Sequence, residues 1–357
     1  MKEKPSPPYK VLIVDDSAVV RKTLKEIYSS DPELEVVGAA PDALIALRML
    51  GESKPDVISL DVQMPRMDGL TFLERLMKSN PMPVVMVSAL TTQGSKEALR
   101  SLELGAVDIV EKPKLGVKEA LEDLSIQICD KIKAAAISKL KTPHQRFLTP
   151  AKKFSIDDVL TQKISASRSS TESLIAIGSS TGGTIALNHV LSPLPADMPG
   201  IVVVQHMPKA FTESFANSLN SDSKLTVSEA KEGDKVERGK VLIAPGDQHM
   251  MLKLVGNDYV VSLNSGELVN RHKPSVDVLF RSVSNLGSKN SVGVILTGMG
   301  NDGAKGLVDM HNGGSLTIAQ DEESCVVYGM PRKAVESGAV DEILNLEGIV
   351  KRLIQLR

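Results

Sequence analysis

The sequence predicts two α/β domains in tandem, and three observations lead there. Short β-rich runs alternate with segments of helical spacing over the first third of the chain. The alternation decays into a polar stretch between Thr142 and Ser173, then resumes from Leu174 to the end. At 357 residues, with 42% hydrophobic content, the chain can fill two cores, since single domains commonly run to roughly 100–200 residues.

In the first third, "KVLIVDD", "EVVGAA", "DVISLD", "PVVMVSAL" and "AVDIVEKP" are strand-like. Between them "SAVVRKTLKEIY", "DALIALRML" and "LTFLERLMK" place apolar residues at helical spacing. Five such β-α repeats imply a parallel sheet covered on both faces. "KEALEDLSIQICDKIKAAAISKL" closes the unit, and the stripe Leu121, Leu124, Ile128 and Ile132 is expected to pack rather than to receive a partner. Residues 142–173 are rich in Pro, Ser, Thr and Lys and are expected to form a linker, with a short helix around "SIDDVLTQ". Beyond it "SLIAIGSS", "GIVVVQHM", "KVLIAPG" and "SVGVILTG" are strand-like, and "MMLKLVGNDYVVSLN" reads as a hairpin around Gly256 and Asn257. "DGAKGLVDMHN", "MPRKAVESG" and "EGIVKRLIQL" supply helices.

Composition excludes several function classes. Lys and Arg number 42 against 44 Asp and Glu, so there is no electrostatic footprint for nucleic acid or an anionic membrane. The two cysteines, Cys129 and Cys325, lie far apart, which argues against a disulfide framework or a thiolate zinc site and for a reducing compartment. "MKEKPSPPYK" has no apolar signal region, and no apolar run approaches the ~18 residues that span a bilayer. A cytoplasmic protein that is not membrane-inserted is expected.

Three acids fall at strand ends in the first unit: Asp15 and Asp16 after the first strand, Asp61 after the third. Such ends converge on the crevice of an open α/β sheet, and clustered carboxylates there favour a hard divalent cation. Ser88 and Lys112 end the fourth and fifth strands, and a hydroxyl and an ammonium beside a metal suit a phosphoryl group. Each piece alone has a plainer explanation, Asp-Asp after a strand serving often as a helix cap or turn. The set, in "VLIVDDSAVVRKTL", "DVISLDVQMPRMDGL", "VVMVSAL" and "GAVDIVEKP", resembles the receiver domain of two-component response regulators. The resemblance implies a flavodoxin-like (βα)5 receiver over 9–127, with Asp61 accepting phosphate from a histidine kinase. It also implies Mg²⁺ held by Asp15, Asp16, Asp61 and the Gln63 carbonyl, and phosphoryl sensing by Ser88 and Lys112. Ile109 stands where many receivers carry an aromatic residue, which speaks against a rotating-ring switch.

In the second unit "IAIGSSTGGTIA" raises three possibilities: a phosphate cradle, a nucleophile turn, or a plain strand-to-helix connection. It lacks both G-x-G-x-x-G and the G-K-[ST] of a P-loop. Gly178 to Gly182 satisfies G-x-S-x-G, a sharp turn that exposes the central hydroxyl of Ser180. The next strand delivers His206 to the same rim, where it can act as base. His249 and His272 fall in loops that can approach, while His144, His189 and His311 do not suggest a role. Asp302 is the candidate acid that orients the imidazole; helix capping is its alternative, and Asp277 and Asp321 are rivals.

With "VVVQHMP", "GDKVERGKVLIAPG", "RHKPSVDVLF" and "VILTGMGNDGAKGL", this stretch is similar to the chemotaxis protein-glutamate methylesterases. That resemblance implies a doubly wound, mainly parallel catalytic domain over 173–357, after a helix extension and linker over 128–172. It implies Ser180 as nucleophile, His206 as base, Asp302 as orienter, and an oxyanion site near Thr181 and Met299. The family usually carries Ala where Ser179 stands. The implied activity is demethylation of glutamate methyl esters on methyl-accepting chemoreceptors, and deamidation of receptor glutamines, with no cofactor in the catalytic domain. The unphosphorylated receiver is expected to pack over the loops of Ser180, His206 and Asp302. The alternatives are a non-catalytic receptor adaptor, a methylesterase-type regulator of another two-component pathway, and a DNA-binding output, the last without a basic recognition helix.

Overall fold

Val11, Leu12, Ile13 and Val14 are all fully buried, as a strand covered on both faces must be. They lie in β1 (Tyr9–Val14), which pairs in parallel with β2 (Leu34–Ala40) and β3 (Val57–Asp61). β4 (Val84–Ser88) and β5 (Asp108–Glu111) complete a sheet of order β2-β1-β3-β4-β5, the flavodoxin-like order expected. The computed structural model describes residues 5–88, 92–113, 118–139, 173–287 and 290–357.

The helices around this sheet are α1 (Ala18–Ser30), α2 (Ala43–Ser53), α3 (Gly69–Ser79), α4 (Thr92–Glu103) and α5 (Lys118–Ala136). Ser17, Asp42 and Asp68 cap the first three, each side chain accepting a backbone N–H from the opening turn. The boundary expected after residue 127 falls inside α5. Ile128, Cys129 and Ile132 are buried in the N-terminal core, so this unit extends through Ala136. The expected linker and its short helix lie outside the described residues.

The second sheet is parallel throughout, in the order β14-β13-β12-β6-β7-β9-β8. Its strands are β6 (Leu174–Ser179), β7 (Gly200–Gln205), β8 (Thr226–Glu229), β9 (Lys240–Ile243), β12 (Ser291–Ile295), β13 (Leu316–Gln320) and β14 (Glu342–Leu344). β10 (His249–Val255) and β11 (Asp258–Asn264) form the hairpin, turning at Gly256 and Asn257. The helices are α6 (Gly183–Leu191), α7 (Lys209–Asp222), α8 (Val276–Asn285), α9 (Ala304–Asn312), α10 (Met330–Glu336) and α11 (Leu346–Gln355).

The two domains are in contact. α4 packs on α7, and Ala98 and Leu102 belong to the same apolar cluster as Phe215 and Leu219. Among the described residues, no helix is long and apolar enough to cross a membrane.

Candidate active site

The turn after β6 is shaped by close approach. A Cβ on Gly298 would sit 2.7 Å from the Ser180 Cβ, so only glycine lets the loop after β12 reach the β6 turn. Gly182 adopts φ 78, a left-handed conformation that ends the turn and starts α6. The two serines of the turn then part. Ser179 is fully buried and donates through Oγ to Gln205 Oε1 at 2.7 Å. Ser180 instead lines a cavity of about 720 Å³ shared with Thr181, His206, Met299 and Asp302. Gln205 holds the turn from below, its Nε2 donating to Ser180 O and His206 O at 3.0 and 3.2 Å.

His206 follows β7, and its Nε2 lies 2.8 Å from Asp302 Oδ2. Asp302 follows β12, and four more donors converge on its carboxylate. Oδ1 accepts from Asn270 Nδ2, Ser275 Oγ and the Asp277 N–H at 2.8, 2.7 and 3.2 Å. Oδ2 accepts from the Val276 N–H at 2.7 Å. Two of these donors are N–H groups of the first turn of α8, which favours an anion. Burial opposes ionisation, but the bonds from His206, Asn270 and Ser275 hold the carboxyl well below the usual carboxylate range. An ionised Asp302 only accepts, so His206 Nε2 is the donor in this bond. Nδ1 is buried and has no hydrogen-bond partner among the described residues.

The other candidates separate clearly. His272 stacks on His206, with ring centroids 3.7 Å apart and planes inclined by 12°. Burial and the neighbouring His206 hold it far below the usual imidazole pKa, so it stays neutral. His249 Nδ1 accepts from the Ser275 N–H at 3.2 Å, and its Nε2 donates to Glu267 O at 2.8 Å. Asp277 shares Asn270 with Asp302 and binds the Gly306 N–H at 2.7 Å. Asp321 is taken up with Ser324. Gln205, Asn270 and Ser275 were not singled out from sequence; the first precedes His206 directly, and the others flank the segment that carries His272.

Thr181 and Met299 both line the cavity. The Thr181 hydroxyl is engaged by the other domain, donating to Asp108 Oδ2 at 2.7 Å. Asp108 Oδ1 is held by Lys131 Nζ at 2.7 Å. Val110, Glu111, Leu124, Gln127 and Asp130 join the same wall. Leu124 packs against the N-terminal core as expected and also lines this wall. The N-terminal domain lies over the rim that bears Ser180, His206 and Asp302.

At the N-terminal sheet, Asp15, Asp16 and Asp61 offer carboxylate oxygens all within 4.8 Å of one another. Lys112 Nζ lies 2.9 Å from Asp15 Oδ2 and 2.7 Å from Asp61 Oδ2, an ion pair by distance. Beyond this ammonium neither oxygen has a hydrogen-bond partner among the described residues. Burial pushes the Asp61 pKa up to about 6; Lys112 opposes this and the Asp15 charge adds to it. A hard-oxygen cluster with spare lone pairs fits a divalent cation. Ser88 is buried at the end of β4, and the Gln63 N–H approaches Asp61 Oδ1 at 3.3 Å. Gln63 lines a surface cavity together with Asp16.

Comparison with known proteins bears on both halves. The response regulator receiver domain matches residues 11–122 and the CheB methylesterase domain matches residues 175–353. Protein-glutamate methylesterase/protein-glutamine glutaminase 3 of Geobacter metallireducens is 50% identical over 354 residues, covering 97% of this chain and 98% of its own. The corresponding protein 2 of Pseudomonas aeruginosa is 50% identical over 348 residues, covering 98% and 97%. The crystal structure of the Thermotoga maritima CheB methylesterase catalytic domain matches with a TM-score of 0.51 and 42% identity, covering 53% of this chain and all of that one. Two parallel sheets, one ending in a carboxylate cluster and the other in a serine turn with a His–Asp pair, agree with those matches, and the chain belongs to the receiver-linked CheB methylesterase family.

Proposed function

We propose that this chain is a cytoplasmic, phosphorylation-regulated protein-glutamate methylesterase of bacterial chemotaxis, acting also on receptor glutamines. The observation that carries the proposal is the His206 ring. It is anchored at Nε2 by a saturated carboxylate, free at its buried Nδ1, and shares one cavity with Ser180. Ser180 Oγ attacks the γ-carbonyl of a glutamate methyl ester on a chemoreceptor helix, and Nδ1 takes its proton. Backbone N–H groups of Thr181 and Met299 receive the oxyanion, each such donor being worth about 2.7–4 kcal/mol. His206 returns the proton to the leaving methoxide, so methanol departs and an acyl-Ser180 remains. Water deprotonated by His206 then attacks the acyl carbonyl and frees glutamate and Ser180. A glutamine side chain follows the same route with ammonia as the leaving group.

Control lies in the receiver. Asp61 accepts phosphate from a chemotaxis histidine kinase, and Asp15, Asp16, Asp61 and the Gln63 carbonyl would hold Mg²⁺, which neutralises charge on the phosphoryl oxygens. Ser88 and Lys112 contact those oxygens. Drawing Lys112 toward a phosphoryl group acts on β5, the strand that also carries Asp108. Release of Thr181 from Asp108 and separation of the domains then open the cavity. A complete switch from ~1:99 to ~99:1 needs about 5.5 kcal/mol of differential stabilisation.

The test is methanol release from methylated receptors, with and without a small phosphodonor and Mg²⁺. Activity that rises with phosphodonor and vanishes in Ser180→Ala supports the proposal. A Ser180→Ala protein that still releases methanol, or a wild type that binds receptors and releases none, favours the adaptor alternative or another nucleophile.

A further inference from the structure

Three consecutive residues tie the catalytic centre to the covering domain in a way the reaction itself does not use. Val269 and His272 close a tight turn by exchanging backbone hydrogen bonds of 3.1 and 2.9 Å. The two residues between them, Asn270 and Arg271, are both left-handed, at φ 52 and 67. Asparagine tolerates that region; an arginine there persists only where its surroundings impose it. The surroundings are the triad: Asn270 holds Asp302 and His272 stacks on His206. Arg271 is thereby presented at a fixed place on the rim of the Ser180 cavity.

Four cations line that cavity among the described residues, and three have their charge engaged. Lys131 pairs with Asp108 at 2.7 Å and Lys209 with Asp247 at 2.8 Å. Lys273 donates to the carbonyls of Ser265 and Gly266. The Arg271 side chain is 69% exposed and has only a long contact, 3.8 Å, to Asp130. Asp130 lies on α5 one turn beyond Gln127, whose Nε2 donates to Arg271 O at 3.1 Å. A helix bearing an amide side chain and, three residues on, a carboxylate thus occupies the mouth of the site.

We propose that Arg271 is a specificity-determining residue that receives a carboxylate three residues along the substrate helix from the reacting glutamyl side chain. In the closed form Asp130 of α5 stands opposite that guanidinium, its other oxygen 3.3 Å from Lys133 Nζ, and Gln127 bonds the Arg271 carbonyl. The substrate class is an acidic helical peptide segment, and the proposal rests on the methylesterase reading above. A guanidinium fork matches a carboxylate, and a pair at the rim of a site governs association and salt dependence more than the chemical step.

The test uses the full chain with Mg²⁺ and a small phosphodonor. Two helical peptides each carry one glutamate γ-methyl ester, followed three residues later by Glu in one and Gln in the other. Wild type is expected to favour the acidic peptide by about 3- to 10-fold in kcat/KM, through KM, with the preference shrinking at high salt. Arg271→Gln abolishes the preference, and Arg271→Glu transfers it to a third peptide with Lys at that position. Without phosphodonor, Asp130→Asn raises turnover of the acidic peptide about 1.5- to 5-fold, the worth of a partly exposed ion pair. Equal kcat/KM for Glu and Gln peptides in wild type, or a preference that survives Arg271→Gln, overturns the proposal and leaves the methylesterase reading standing. No methanol from any peptide overturns both.

Discussion

Asp61 and Asp302 are both almost wholly buried, Asp61 as the last residue of β3 and Asp302 in the loop that follows β12. Their surroundings tune them in opposite directions. Asp302 accepts five hydrogen bonds and is held well below the usual carboxylate range. Asp61 has only the Lys112 ammonium and a long contact from the Gln63 N–H, a second carboxylate beside it, and a pKa pushed up to about 6. Burial alone therefore does not decide the state of an acid; the supply of donors does. A saturated carboxylate suits permanent service to His206. An undersupplied one suits a site that is completed by a cation and a phosphoryl group.

The strongest way to break this contrast is to remove the charge where it is saturated. Asp302→Asn places an NH₂ group against donors that expect an acceptor and removes the anion that faces His206 Nε2. We expect kcat to fall roughly 10³- to 10⁴-fold and stability to drop by about 3–5 kcal/mol. Steady-state methanol release and a denaturant melt check both. A variant within tenfold of wild type on either measure would mean that the carboxylate is not the orienter.

The same substitution at Asp61 carries the opposite sign for folding. The raised pKa of Asp61 means that the native state keeps a proton the unfolded chain has released. Its penalty is absent below about pH 4 and grows as pH rises toward 6. Without Mg²⁺, Asp61→Asn should therefore be more stable than wild type at pH 7 by up to about 3 kcal/mol. Mg²⁺ should narrow the gap by stabilising wild type alone. A destabilised metal-free Asp61→Asn, or equal Mg²⁺ stabilisation of both proteins, would remove the distinction between the two acids.

His272 offers a third probe, on the imidazole side of the triad. Burial and His206 keep it neutral in the folded state, whereas in the unfolded chain it takes a proton near pH 6.5. Its native state then binds fewer protons than the unfolded state below that pH. Stability is complete above pH 6.5 and falls as the solution is acidified, by at most about 1.4 kcal/mol per pH unit. Melts of wild type and His272→Asn between pH 7.5 and 5 should converge toward the acid end. Parallel curves would show that His272 is protonated or solvated in the native state.

The groups these experiments address were not equally legible in the sequence. Asp15, Asp61, Ser88, Lys112, Ser180 and His206 could be placed because each ends or directly follows an apolar strand, where chain position fixes spatial position. Strands β8, β13 and β14 escaped notice: each is short and mixes polar with apolar residues, whereas the equally short β9 stands out as the apolar run "VLI". Asn270, Ser275 and His272 act through a turn that folds back onto loops 65 and more residues earlier or about 30 later, which no local pattern encodes. Asp108 looks like an ordinary strand residue until the second domain brings Thr181 to it. Motif and strand order reveal the chemistry; the residues that hold it depend on tertiary contact.

The smallest effect comes from a neutral version of the Asp302 arrangement. Ser179 Oγ donates to Gln205 Oε1, while Gln205 Nε2 holds the carbonyls of Ser180 and His206. Ser179→Ala, which installs the residue usual in this family, removes one donor from a buried amide and leaves the other two bonds in place. Because no charge loses its partner, the cost should be about 0.5–1.5 kcal/mol of stability and a few-fold in kcat, acting through the set of the Ser180 turn. Gln205→Leu removes all three bonds and should cost more than Ser179→Ala on both measures. If Ser179→Ala instead abolished methanol release while Ser180→Ala spared it, the nucleophile would be Ser179, and its hydrogen bond to Gln205 would have to break before it could react.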